Sequence, residues 1–182
     1  MIPIPVVETE RLILRGWREG DLDAWAEILS DEETTHFIGG VQSRMDAWRG
    51  IASIIGHWAL RGFGFWAVER KEDREFLGRV GLWRPEGWPG TELAVTLGRP
   101  YWGQGYATEA TKASADYGFR NLSVPKLISL IDSENHASQR VAERLGAIQN
   151  GKTTITMFGR SYVLDLWEIS RERWRLCRAP PA

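Results

Sequence analysis

The chain of 182 residues is 43% apolar and 26% charged with a formal net charge of −1, the balance of a folded globular protein rather than a disordered or membrane-embedded one. Its pI of about 6.3 argues against a polyanion as the main partner, because nucleic-acid binders carry a basic face or a high pI. No stretch approaches the roughly 18 uninterrupted apolar residues of a membrane-spanning helix, and the single cysteine, Cys177, can close no internal disulfide, which fits a reducing cytoplasm.

Residues 1–5 lack a basic segment followed by an apolar run, so no secretory leader is expected. Residues 9–15 alternate loosely and read as a strand. Asp21 then precedes Leu22, Trp25, Ala26 and Leu29, one helical face with Asp21 as its N-cap. Trp48, Ile51, Ala52, Ile55, Trp58 and Ala59 form a second helical pattern before Gly62, and residues 36–42, with Gly39-Gly40, form a loop between the two. Residues 63–69 and 76–83 read as an antiparallel hairpin across the charged turn 71–74. A Gly/Pro-rich loop over 84–90 leads to a third strand at 91–98. A helix over 108–119 carries Ala110, Ala113, Ser114 and Tyr117 on its inner face, and these small residues let it lie close to a sheet. A buried strand at 126–131, a helix at 135–145 stopped by Gly146, and a hairpin of 153–158 with 161–169 complete the order. The arginine-rich end, 171–178, reads as a solvated tail after the last strand. Seven strands, first paired as hairpins and then alternating with helices, predict one α/β (α+β) domain over 1–182. Its sheet is mixed and its helices cover both faces.

With three histidines, His36, His57 and His136, none at H-E-x-x-H spacing, no metal site is expected. The informative segment runs from Leu97 to Ala110: it leaves a strand, turns on Gly103 and Gly105, and enters the helix of small residues. Such a turn exposes backbone N–H groups at a helix N-terminus, where the helix dipole favours an anion such as a phosphate. A dinucleotide fingerprint needs Gly or Ala where Thr108 stands, and a P-loop needs Gly-Lys-Ser/Thr, which is absent. An ordinary helix-entry turn remains open on these residues alone.

The segment TELAVTLGRPYWGQGYATEA, with ETERLILRGWREGDLDAW before it and ENHASQRVAERLGAI after it, resembles the GNAT superfamily of acyl-CoA-dependent N-acyltransferases. The likeness is greatest to the RimJ/RimL-like branch. Trp102-Gly103-Gln104-Gly105-Tyr106-Ala107 is similar to that family's pyrophosphate loop, with Trp102 in place of the leading Gln or Arg. The resemblance implies a mostly antiparallel GNAT sheet of about seven strands, acetyl-CoA as co-substrate and no metal. Backbone amides of Gln104, Gly105, Tyr106, Ala107 and Thr108 would hold the pyrophosphate. Val95 and Leu97 would pair with the pantetheine arm and offer an oxyanion donor, and Asn135 would contact the arm as well.

In similar enzymes a tyrosine seven residues after the Asn protonates the departing thiolate, but that position here is Ala142. Ser138, three residues after Asn135, is similar to a serine near the CoA sulfur in the RimL-like branch. It is the candidate to assist the thiolate by hydrogen bond or water relay. An amine must lose a proton before it attacks, and Glu92 is the candidate base through water, with Glu92→Gln expected to lower turnover chiefly at low pH. Glu109 belongs to the anion-binding helix and is expected to complement its N-terminus. His36, Trp58, Trp83 and Trp88 are candidate acceptor-lining residues. The reading is therefore a cytoplasmic N-acetyltransferase acting on a primary amine by direct attack, monomer or homodimer, with no membrane or nucleic-acid partner. The alternatives are a non-catalytic acyl-CoA-binding domain, favoured by Ala142, and more distantly a dinucleotide oxidoreductase.

Overall fold

The structure, a computed structural model, describes residues 3–157 and 159–178. Its strands are β1 (Val7–Glu8), β2 (Leu12–Arg15), β3 (Phe65–Arg70), β4 (Phe76–Trp83), β5 (Glu92–Leu97), β6 (Lys126–Ile131), β7 (Ile148–Met157) and β8 (Arg160–Ser170). The helices are α1 (Leu22–Ser30), α2 (Glu32–Thr35), α3 (Arg44–Arg61), α4 (Tyr106–Asn121), α5 (His136–Arg144) and α6 (Arg171–Arg178). All eight strands join in one sheet, in the order β1-β2-β3-β4-β5-β6-β8-β7. Every pairing is antiparallel except β5 with β6, which run parallel and meet at a single register pair, Glu92 with Ile128.

Side chains alternate across a strand, so each face of the sheet recruits its own helices. On β4, Arg79 points to the α1 face, where its guanidinium lies over Trp25. Leu82 points to the opposite face, against Gly118 of α4. Helices therefore cover both faces, as the sequence predicts. Six of the ten tryptophans are buried: Trp25 packs edge-on against Trp17 at 5.6 Å, and Trp66 against Tyr117 of α4 at 5.0 Å.

The predicted first strand, 9–15, shortens to Leu12–Arg15, and a strand that was not predicted precedes it. Thr9 folds back on Leu12, the Leu12 N–H donating to its Oγ at 2.9 Å, and this turn makes β1 a separate eighth strand. Asp21 is no side-chain cap for α1; its carboxylate takes a bidentate pair from Arg15, at 2.7 and 2.8 Å, and the Arg18 N–H at 2.8 Å. Arg15 Nε also donates to Glu69 Oε2 at 2.6 Å, so one buried guanidinium holds β2, β3 and the turn before α1 together. The last hairpin is longer than expected, with an irregularity between Gln149 and Lys152; Phe158, the predicted end of its first strand, lies outside the described residues, as do Met1 and Ile2.

The arginine-rich end is a helix, not a solvated tail. Trp174 is buried beside Phe119, with ring centroids 6.0 Å apart, and donates to Asp116 at 3.0 Å. Arg171 donates to the carbonyls of Phe119, Leu122 and Val124, satisfying acceptors left unpaired at the C-terminus of α4 and in the segment after it.

Candidate active site

β5 and β6 share one pair and then part, and beyond that point a cleft of about 690 Å³ lies between β5 and α5. Its walls are β5 from Val95 to Leu97, the glycine turn with the start of α4, one side of α5, and the segment of α2 and the loop after it. The direction of the β5 backbone can be read from its partners. The Leu93 carbonyl accepts from Ser129 Oγ at 2.7 Å, and the Leu97 carbonyl accepts from the Trp102 indole N–H at 2.7 Å. Val95 lies between them in the two-residue period of the strand, so its N–H and C=O face the cleft with no strand alongside. The predicted free donor therefore sits at Val95, with the Leu97 N–H beyond it.

The glycine turn leads into α4 with Gly105 as N-cap at φ 83°, a left-handed conformation that suits glycine. Tyr106, Ala107 and Thr108 form the first turn and line the cleft, their N–H groups lacking intrahelical partners. Gln104 departs from expectation: its side chain turns away to the Pro100 carbonyl at 2.9 Å, and it does not line the cleft. Trp102 finds a structural use, since its indole bond to Leu97 ties the turn to the strand.

Arg11 holds the turn from behind and carried no sequence signal. It donates to the Gln104 carbonyl at 2.9 Å, stacks on the Tyr106 ring at 4.4 Å and pairs with Glu109 at 2.7 Å. Burial works to raise the Glu109 carboxyl, but bonds from Thr9 and from the Arg11 amide and guanidinium outweigh it and hold its pKa down. Glu109 thus stays anionic at the helix N-terminus, as expected.

On α5, Asn135 is the N-cap, its side-chain oxygen accepting from the Ser138 N–H at 3.1 Å. Both residues line the cleft, and the Ser138 hydroxyl has no protein partner among the described residues. Ala142 points elsewhere, buried against Ile131 and Trp167, so a larger side chain there would enter the core before it reached the cleft. Arg140 and Arg144 line the same wall. Sequence reasoning passed over them, although with Ala137 and Val141 they share one helical face.

Glu92 stands at the closed end of the fork, outside the cleft lining. It points to the α1 face, since it pairs across the strands with Trp83. It is 9% exposed, and Trp88 donates its indole N–H to Oε2 at 2.7 Å. Burial pushes its pKa up to about 7, against the Trp88 bond, the charge of Arg79 and the Leu130 amide. The carboxyl is no solvated strand end; it titrates near neutrality, where a general base is useful.

The proposed acceptor-lining residues separate. His36 lines the cleft, edge-on to Phe37 at 4.6 Å. Trp88 belongs to Glu92, as above. Trp83 is half-buried and stacked on His57 at 4.3 Å, beside the fork but outside the cleft lining. Trp58 is a core residue at 3% exposure, donating to the Phe65 carbonyl and packed on Trp66, and it does not reach the site. Among the described residues no cluster of metal-ligating side chains occurs, and no helix is long and apolar enough to cross a membrane.

Comparison with known proteins gives the arrangement a context. Residues 11–148 match the model of the acetyltransferase (GNAT) domain. The chain is 31% identical over 146 residues to the protein YkkB of Bacillus subtilis (strain 168), covering 76% of this chain and 82% of YkkB. It superposes on the crystal structure of an acetyltransferase from Agrobacterium tumefaciens str. C58 with a TM-score of 0.80 at 26% identity, covering 93% and 96% of the two chains. A TM-score of 0.76 at 15% identity relates its fold to RimL, the ribosomal L7/L12 alpha-N-protein acetyltransferase solved in complex with coenzyme A, over 91% of this chain and 98% of that one.

Proposed function

The chain belongs to the GNAT acetyltransferases, and from that membership we propose that it moves an acetyl group from acetyl-CoA to a primary amine by direct attack in a ternary complex, as one domain of the RimJ/RimL-like branch. The observation that carries the reading is the fork. A helix N-terminus able to bind phosphate lies at its mouth, an unpaired strand edge lines it, and a buried carboxyl with a pKa of about 7 closes it.

In this reading the amides of Tyr106, Ala107 and Thr108 receive the pyrophosphate, and Arg140 and Arg144 add positive charge along the same wall. The backbone of Val95 pairs with the amide-bearing arm, and the free N–H groups of β5 polarise the thioester carbonyl. The amine nitrogen attacks the carbonyl carbon; the C–N bond forms, and the C–S bond breaks as the intermediate collapses. The amine proton passes through water to Glu92, and Ser138 stabilises the departing thiolate. Glu92 and Ser138 work from opposite faces of the sheet, which suits an acceptor and a donor that meet across the gap.

The test is thiol release from acetyl-CoA over a panel of amines, including peptides with free N-termini. Release tied to one amine class supports the reading; acetyl-CoA binding without release on any amine removes it and leaves the non-catalytic acyl-CoA-binding domain. Ser138→Ala is expected to lower kcat about tenfold, the scale of one hydrogen bond to a charged group, with the Kd of acetyl-CoA little changed in calorimetry. Gly105→Ala is expected to act on binding. A side chain at positive φ costs about 1–2 kcal/mol, so the free loop relaxes and binding must pull it back. The Kd for acetyl-CoA should rise about tenfold, and an unchanged Kd would remove the turn from the binding site.

A further inference from the structure

Arg79 is a cation that the catalytic reading leaves unused. It lies in β4, outside the cleft lining and partly exposed, directly across from Thr96, which belongs to that lining. Its side chain shares the α1 face with Glu92 and Thr96, since cross-strand partners and alternate residues point the same way. The guanidinium rests on two aromatic rings, 4.5 Å from the centre of Phe65 and 5.3 Å from that of Trp25. Among the described residues it makes no ion pair and no hydrogen bond, and its Nε is closed off from solvent with no partner. Burial lowers its pKa to about 10, against the pull of Glu92, so it remains charged at neutral pH.

Arg15, on the same face, shows what this protein does with a buried guanidinium: two carboxylates surround it. Arg79 has instead an aromatic floor, which recovers roughly 0.5–2 kcal/mol, less than its forked donors could gain from a carboxylate. Glu92 does not supply that partner, because it is committed to Trp88 and carries only part of a charge near pH 7. The donor side of the cleft has its own cations in Arg140 and Arg144, on the far wall. An anion that reaches Arg79 therefore arrives with the other substrate.

We propose that Arg79 receives a carboxylate carried by the acceptor, so that the substrate class is an amine bearing a carboxylate, such as an amino acid, and not a polyamine. The proposal rests on the acetyl-transfer reading for the identity of the acceptor. A guanidinium matches a carboxylate through two parallel N–H bonds, and it repels a second ammonium group.

The experiment compares acceptors in matched pairs, each amino acid beside its carboxamide, in the wild-type protein, Arg79→Met and Arg79→Lys. The wild type is expected to prefer the acid by about 10- to 100-fold in kcat/KM, the scale of a charge-assisted hydrogen bond, mainly through KM. Arg79→Met should bring that ratio close to one, and Arg79→Lys should restore part of it. A wild-type ratio near one overturns the proposal, as does an equal proportional loss on both members in Arg79→Met, the mark of a merely structural role. A second arm measures calorimetric binding of N-acetyl amino acids and their carboxamides to the protein saturated with CoA. If no amine is turned over, acetyl transfer fails as a reading and this arm decides for Arg79. Binding of the acid alone, lost in Arg79→Met, supports the carboxylate site, whereas equal or absent binding of both overturns it.

Discussion

Glu92→Gln is expected to lower kcat about 100-fold or more at pH 8, the lower end of what a positioned base contributes, and to raise Tm at the same pH. Both effects come from one cause. Burial lifts the Glu92 pKa from its ordinary 4.5 to about 7. A group whose folded pKa is raised binds its proton more tightly when folded, so its stabilising contribution is complete below pH 4.5 and is lost as pH rises through 7. Above pH 7 the charged carboxylate opposes folding by an amount on the order of 3 kcal/mol, and glutamine keeps an acceptor for Trp88 without that charge. The variant should therefore unfold at a higher temperature than the wild type at pH 8, with the difference gone at pH 4. The burial also moves the catalytic effect expected from sequence. A base that is protonated below pH 7 cannot act there, so the loss is greatest between 7 and the pKa of the acceptor amine, not at low pH. A pH–rate profile with no limb near 7, or one unaltered by the substitution, would exclude Glu92 as the base.

Arg15→Met should be the most damaging single change to stability, at about 3–5 kcal/mol, the usual cost of stripping one partner from a buried ion pair. Asp21 and Glu69 are 5% and 1% exposed; without Arg15, Asp21 keeps the Arg18 N–H and Glu69 keeps the exposed Arg18 and Arg74 side chains, and both lose their buried counter-charge. Urea denaturation should show the midpoint falling with little change in slope. Adding Asp21→Asn and Glu69→Gln to the same variant should recover part of the loss, because the stranded charges are then gone. If Arg15→Met unfolds at the wild-type midpoint, the cluster contributes nothing net.

Much of the fold was legible because hydrophobic spacing is a local signal. The helix of α3 before Gly62, the β3–β4 hairpin and the entry to α4 through Gly103 and Gly105 all follow from residues close in sequence, although α3 buries Ala47, Ile51, Ile54 and Trp58 and leaves Trp48, Ala52, Ile55 and Ala59 of the predicted pattern exposed. The departures depend on distant partners. Arg171 reads as one more solvated arginine until the end of α4 and the segment after it supply the carbonyls of Phe119, Leu122 and Val124. Asp21 has the look of an N-cap, yet a buried arginine competes for it and wins. In the site, the glycine turn and the Asn135–Ser138 segment announce themselves by spacing, whereas Arg11 arrives across 98 positions to meet Glu109. The depth of Glu92 was hidden for the same reason: only the folded loop shows that Trp88 lies over it. The four candidates, one histidine and three tryptophans, therefore came apart, and Trp58 in particular is core.

The parting of β5 from β6 bears on how the molecule opens. Mechanically the sheet is two plates, β1 to β5 and β6 with β8 and β7, hinged on one residue pair and buttressed where α4 touches α5 and where α6 clamps the end of α4. Such a seam is where a sheet breathes first, since little backbone bonding has to break there. Under the proposed function, an acyl donor lying in the gap stitches the plates along their unpaired edge. Resistance to opening then grows with donor concentration by mass action, and starvation for acetyl-CoA would leave the protein not only idle but easier for proteases to take apart.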